Sequence, residues 1–354
     1  MTSMQFTAND LDQLLSKFKI GASCIGAYQH RHFSYYDLVL DPGTRISKIN
    51  RYAKELALAM KAHSSFIVTD IPEQGVVRLR TTNSSPSKIR FFRYYCQHAD
   101  NAPSVTLPFL LGETDEGKPL WVDMASNPHL LVAGATNSGK SVFLHTLIAN
   151  AVCRGDVKLT LIDTKLVEFS SYYHPIMDPY VEATARTYEE AILAIEDVYN
   201  MMESRYRFMD QLGIQNANQR SDVFDKQLVI IDEASDLMMF DKKTKRFETL
   251  LIKLAQKARA AGIYLVLATQ RPSADVLTSL IKSNFPARVA CRVANKTDSR
   301  VILDEHGAEN LAGKGDAILK LPSGETYRAQ MAYIEPKMIL KGLGANIEQD
   351  SSAA

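Results

Sequence analysis

Between Gly134 and Ser141 the chain reads Gly-Ala-Thr-Asn-Ser-Gly-Lys-Ser, a turn bounded by glycines and closed by a lysine and a hydroxyl. This is the pattern of a phosphate-binding loop. Gly134 and Gly139 let the backbone curl so that the N–H groups of Ala135, Thr136, Asn137 and Ser138 face phosphate oxygens, and the next helix start adds partial positive charge. Lys140 is then placed to reach the β- and γ-phosphates of ATP, and Ser141 to ligate Mg²⁺. The setting fits: the apolar strand His129–Ala133 leads in, and the apolar helix SVFLHTLIANAV (141–152) leads out.

Two acids downstream supply the other half of such a site. LVIIDE (228–233) ends an apolar strand with Asp232 and Glu233. Acids at a strand's carboxyl end lie where ligands bind α/β sheets. Asp232 is the natural Mg²⁺ partner, and Glu233 is placed to polarise an attacking water. A third strand, IYLVLATQ (263–270), ends in Gln270. Its amide can bond the γ-phosphate or the water and report hydrolysis to the loop that follows. Taken alone, a strand ending in Thr-Gln is more often a plain strand cap than a sensor.

These groups need a sheet to position them. LLVAG (130–134), VKLTLID (157–163), QLVIIDE (227–233), IYLVLATQ (263–270) and ARVACRV (287–293) are short continuous apolar runs. Such runs make a mostly parallel sheet covered by helices on both faces, an α/β architecture. One covering helix starts at Thr187, which with Glu190 has capping-box spacing, and presents Ile192, Ile195, Tyr199, Met202 and Tyr206. Another runs over 246–261 and is closed by Gly262.

The pattern differs before residue 104. Residues 21–79 read strand, strand, helix, strand, strand, with a strand at 35–40, a helix at 45–62 and strands at 64–69 and 75–80. A loop at 83–87 and a helical connector at 88–103 follow. The expected division is a small α+β domain with connector over 1–103, a larger α/β domain with the phosphate loop over 104–340 and a polar, disordered tail over 341–354.

Composition narrows the possibilities. The net charge is +1, which does not single out a nucleic-acid binder, although a channel that grips a polyanion can sit in a neutral protein. Cys24, Cys96, Cys153 and Cys291 are scattered, which argues against a zinc site or a disulfide framework. No signal peptide is visible, and no apolar run approaches the ~18–20 residues that span a bilayer. A soluble cytoplasmic protein without membrane insertion is expected.

Long segments resemble the motor of the FtsK/SpoIIIE family of DNA translocases. They are 107–141 around the phosphate loop, LAQKARAAGIYLVLATQRPSADVLTSLIKSNFPARVA (254–290) and TDSRVILDEHGAENLAGKGDAIL (297–319). Residues 21–80 are similar to the small α domain that precedes the family's RecA-like β domain. The resemblance implies a RecA-like P-loop NTPase fold, a homo-hexameric ring with ATP at subunit interfaces, and double-stranded DNA in the channel. It implies an arginine finger at Arg259, which by itself reads as a solvated helix-end arginine. It also implies DNA-backbone contacts at Arg271, Lys282, Lys296 and Arg300, sequence-independent and electrostatic. Segments 34–36 and 241–246 diverge locally. The family's membrane spans and C-terminal winged helix have no counterpart here, so a stand-alone motor is expected. The competing functions are a protein-export ATPase of the same superfamily and a nucleotide-gated DNA-binding scaffold.

Overall fold

The computed structural model describes residues 7–83, 87–240 and 242–345. The loop expected at 83–87 lies partly, and the tail expected at 341–354 mostly, outside the described residues, as does Asp241. Two units form. The described residues up to Lys88, with Asp115–Lys118, make the first; Ile89–Thr114 and the described residues from Pro119 onward make the second.

The first unit runs α1 (Ala8–Lys17), β1 (Ala22–Gln29), β2 (Phe33–Leu40), α2 (Ile46–Ala59), β3 (Ile67–Ile71) and β4 (Val76–Thr82). Its antiparallel sheet has the order β1-β2-β4-β3. Tyr36, Leu38, Val77 and Leu79 bury one face of it against Leu11 and Leu15 of α1 and Ile49, Ala53 and Leu56 of α2. Helix α1 was not anticipated. Its signals are Thr7 capping Asp10 in a full capping box, and Leu11 and Leu15 one turn apart.

The second unit continues with α3 (Phe91–His98), β5 (Pro108–Thr114), β6 (Pro119–Asp123), β7 (His129–Ala133), α4 (Lys140–Arg154), β8 (Val157–Ile162) and β9 (Val181–Ala185). Then come α5 (Tyr188–Leu212), β10 (Lys226–Ile231), α6 (Ala234–Phe240), α7 (Arg246–Lys257), β11 (Ile263–Thr269), α8 (Ser279–Asn284) and β12 (Ala287–Cys291). It closes with α9 (Lys296–Leu303), β13 (Asp316–Lys320), β14 (Thr326–Met331) and α10 (Pro336–Gly342). One sheet has the order β6-β5-β14-β13-β12-β7-β11-β10-β8-β9. Every pairing from β12 to β9 is parallel, and every pairing from β6 to β12 is antiparallel.

The parallel half is buried on both faces. Leu130, Val132, Leu228, Ile230, Val266 and Ala268 face α4 through Phe143, Leu144 and Leu147. Leu131, Ala133, Val229, Ile231, Leu265 and Leu267 face α5 and α7 through Ile195, Met202, Leu251 and Leu254. Period-two alternation of a uniformly apolar strand makes both faces core.

Three expectations are corrected. The division falls at Lys88/Ile89 and not at residue 103, because Phe91 and Tyr94 bury α3 in the core of the second unit. Helix α7 ends at Lys257, four residues short of the expected end; the chain then makes a turn in which Gly262 (φ +71°) donates its N–H to Arg259 O. At Thr187 only half of the box forms: its hydroxyl accepts from Glu190 N (3.2 Å), while the Glu190 carboxylate accepts from Arg186 N (2.6 Å).

His129 opens β7 and is buried, and burial pushes its imidazole down to about 4. His145 on α4 is pushed to about 4 for the same reason. A folded value below the ordinary 6.5 means full stability above pH 6.5, lost as pH falls toward 4. Each histidine contributes a slope of up to about 1.4 kcal/mol per pH unit in that window. The drop in unfolding free energy between pH 7 and pH 5, measured by urea titration, is therefore smaller in His129→Gln than in the parent. An equal drop removes His129 as a cause.

Candidate active site

The phosphate loop joins β7 to α4 in a path that leaves no room for a side chain at Gly134 or Gly139. Asn137 (φ +62°) and Gly139 (φ +111°) adopt left-handed conformations. A Cβ on Gly139 would lie 2.4 Å from Gly315 N, and one on Gly134 would lie 2.6 Å from Cys291 Cβ. The loop is tied to neighbouring strands: Gly134 N donates to Thr269 O (3.3 Å), Ala135 N to Arg292 O (2.9 Å), and Gly315 N to Ser138 O (2.9 Å). Gly313–Gly315, with φ of +81°, +53° and +92°, is thus a second wall of the cradle. Its backbone is fixed by Asp316, fully buried, which accepts from Arg328 (2.7 Å) and Ala312 N (2.8 Å). The AGKGD segment itself carried that signal, since two glycines flanking one lysine mark a special backbone path.

Lys140 opens α4 and is only 3% exposed. Its ammonium pairs with the Asp232 carboxylate and donates to Asp232 O (2.9 Å). Burial nevertheless raises Asp232 above its ordinary value, outweighing Lys140. The Ser141 hydroxyl donates to Glu168 Oε1 (2.5 Å). Ser141 and Asp232 fit Mg²⁺, which is held by one or two carboxylates together with substrate phosphates. Mg²⁺ there would act as a Lewis acid on phosphoryl oxygens.

Glu233 is buried and densely bonded. It accepts from Ser235 Oγ (2.7 Å), Thr269 Oγ1 (2.7 Å) and Gln270 N (3.1 Å), and Lys165 Nζ is 3.4 Å away. Burial alone would raise its carboxyl; the hydrogen bonds from Ser235 and Thr269, with the Lys140 charge, hold it below the usual range. It is a carboxylate at neutral pH, as a water-orienting group must be. The Gln270 Oε1 accepts from Thr136 Oγ1 of the phosphate loop (3.0 Å). Glu233, Gln270 and Thr136 thus link three strand ends in one hydrogen-bonded line. Lys165, Glu168 and Thr269 were not anticipated, because only long-range folding brings them here.

The model of the FtsK/SpoIIIE family matches residues 97–228 and 219–274, and that of the FtsK alpha domain matches residues 1–83. The DNA translocase FtsK of Haemophilus influenzae is 34% identical over 371 residues, covering 94% of this chain and 69% of that protein. The chain belongs to the FtsK/SpoIIIE family. The DNA translocase FtsK of Chlamydia muridarum is 36% identical over 347 residues, covering 92% of this chain. The chain spans only 43% of that relative's length. Among solved structures, the conjugation coupling protein TcpA with ATPγS aligns at TM-score 0.66 and 22% identity, covering 95% of this chain and 98% of that one. The type VII secretion ATPase EccC of Thermomonospora curvata aligns at TM-score 0.57 and 22% identity, over 69% and 32%. At this identity the two likenesses show a shared fold, an α/β fold built on a mixed sheet.

The remaining FtsK-like positions lie elsewhere. Arg259 is exposed in the turn before β11 and donates from Nε to Ala125 O (3.2 Å). Arg271, Lys296 and Arg300 are exposed, and Arg300 contacts His306 Nε2 (3.0 Å). Lys282 is different: its ammonium is bound to Asp304 and to Val301 O (3.2 Å). That ion pair engages the charge expected to face DNA.

The buried Lys140–Asp232 pair makes the loop lysine matter to stability as well as to phosphate binding. In nucleotide-free protein Lys140→Ala strands a buried carboxylate, at a cost of about 3 kcal/mol. Lys140→Ala/Asp232→Asn recovers most of it. Urea unfolding of the four proteins of the cycle measures this, and additive effects contradict the coupling.

Proposed function

We propose that the chain hydrolyses ATP with Mg²⁺ and uses the energy to move double-stranded DNA. The observation that carries this is the Glu233–Gln270–Thr136 line, an ionised carboxylate at the sheet edge wired to the phosphate loop. Lys140 compensates phosphate charge, Ser141 and Asp232 take the metal, and Glu233 orients the water. A water bonded to Glu233 disturbs Gln270, whose neighbour Arg271 begins the exposed segment toward α8. The next strand end, Arg292, also holds the phosphate loop through Ala135 and is followed by Lys296 and Arg300 on α9. Both DNA-facing segments therefore start from strands that sense the nucleotide. The relatives named DNA translocase FtsK support DNA as the substrate over a secreted protein.

Duplex DNA should stimulate phosphate release, with little sequence preference. Removing Arg271, Lys296 or Arg300 should reduce the log–log salt slope of DNA binding by roughly one unit each, as for phosphate contacts. Lys282→Ala should leave that slope unchanged. ATPase activity indifferent to DNA would favour the protein-export reading; absence of hydrolysis, with nucleotide-dependent DNA binding, would favour the scaffold.

Arg259 serves a neighbouring subunit in this reading, within a homo-hexamer. It precedes β11, whereas Gln270 follows it, so the seven-residue strand separates Arg259 from its own site. At ~3.3 Å per residue that is on the order of 20 Å, beyond an arginine's reach. Arg259→Ala and Glu233→Gln should each be nearly inactive. Mixed equally, about a quarter of interfaces pair an intact carboxylate with an intact finger, and activity returns. Silence across a series of mixing ratios overturns the assignment.

A further inference from the structure

Glu168 stands on the segment Asp163–Phe169, between β8 and the phosphate loop's helix, with no part in the reading above. The segment is wound around one buried carboxylate. Asp163 accepts from Lys165 N (3.0 Å) at Oδ1, and from Glu168 N (2.8 Å) and Phe169 N (3.0 Å) at Oδ2. That winding sends Lys165 toward Glu233 and Glu168 toward Ser141. Glu168 Oε1 accepts the Ser141 hydroxyl at 2.5 Å, while Oε2 lies 3.6 Å from His145 Nε2. His145 is buried and held on its other side by Tyr172, whose hydroxyl is 3.0 Å from Nδ1. With the Tyr172 hydroxyl donating to Nδ1, the Nε2–H faces Glu168. A carboxylate backed by the buried His145 ring is thus aimed at the hydroxyl that should bind the metal.

We propose that Glu168 is a positioning residue for Mg²⁺: it takes the Ser141 hydroxyl proton in a hydrogen bond, turning the oxygen lone pairs toward the metal. Such orientation by an outer-sphere carboxylate fixes ligand geometry and adds negative charge near the cation. The assignment rests on the nucleotide reading. A purely structural role would be the attraction of Glu168 to the positive start of α4, which needs no metal.

The test is ATPγS binding by calorimetry in EDTA and across a Mg²⁺ titration, for the parent, Glu168→Ala and Glu168→Gln. In EDTA all three should bind within about twofold. The Mg²⁺ midpoint should rise roughly 10- to 100-fold in Glu168→Ala. It should rise less in Glu168→Gln, whose amide oxygen still accepts from Ser141. An unchanged midpoint overturns the proposal, as does an EDTA affinity that falls as far as the Mg²⁺-bound one. If Glu168→Ala fails to fold, the Gln variant decides alone by the same criteria. A parent that binds ATPγS without any Mg²⁺ dependence overturns the nucleotide reading and this inference with it.

Discussion

Two consecutive carboxylates are buried at the end of β10, and the surrounding architecture is what makes that tolerable. Asp232 and Glu233 are 1% and 4% exposed. Burial of unpaired charge is prohibitive, and like charges side by side make it worse. The two acids follow directly on β10, and each meets its own set of partners. Asp232 turns to the phosphate loop and Lys140; Glu233 turns to Ser235, Thr269 and the Gln270 N–H. Parallel pairing of β10 with β11, and of β11 with β7, delivers those partners at one edge.

The same arrangement explains how a local event could be felt at a distance. Glu233 is held partly by the backbone of the residue before Arg271, and the phosphate loop partly by the carbonyl of Arg292. No lever arm is needed. The strands that present the charged segments are those that satisfy the acids and the cradle, so occupancy of the cradle bears directly on both.

Legibility from sequence followed the range of the interactions. The phosphate loop is local, and its glycines are demanded by approaches of 2.4 and 2.6 Å. Asp232, Glu233 and Gln270 were legible because each terminates a uniformly apolar strand. The antiparallel half of the sheet was not read, because β5 and β6 precede the phosphate loop and β14, the other partner of β5, lies some two hundred residues on. Glu168 sat in plain sight, but only the hydrogen bonds to Asp163 aim it at Ser141. The end of α7 was overextended because Ala258, Ala260 and Ala261 favour a helix; burial of Ala258 and Ala261 in a turn overrode that preference.

The contact between Gly139 and Gly315 has a further consequence. Gly315 gives its N–H to Ser138 and takes that of Met331 on β14. The cradle and the antiparallel strands are therefore stitched by adjacent amides, with no spacer to absorb a displacement. Local opening of one breaks bonds of the other, so the two should share one opening free energy. Amide-proton protection at Gly315 and Met331 is then a solvent-exchange gauge of how tightly the cradle is closed, read from backbone positions that need not touch the nucleotide.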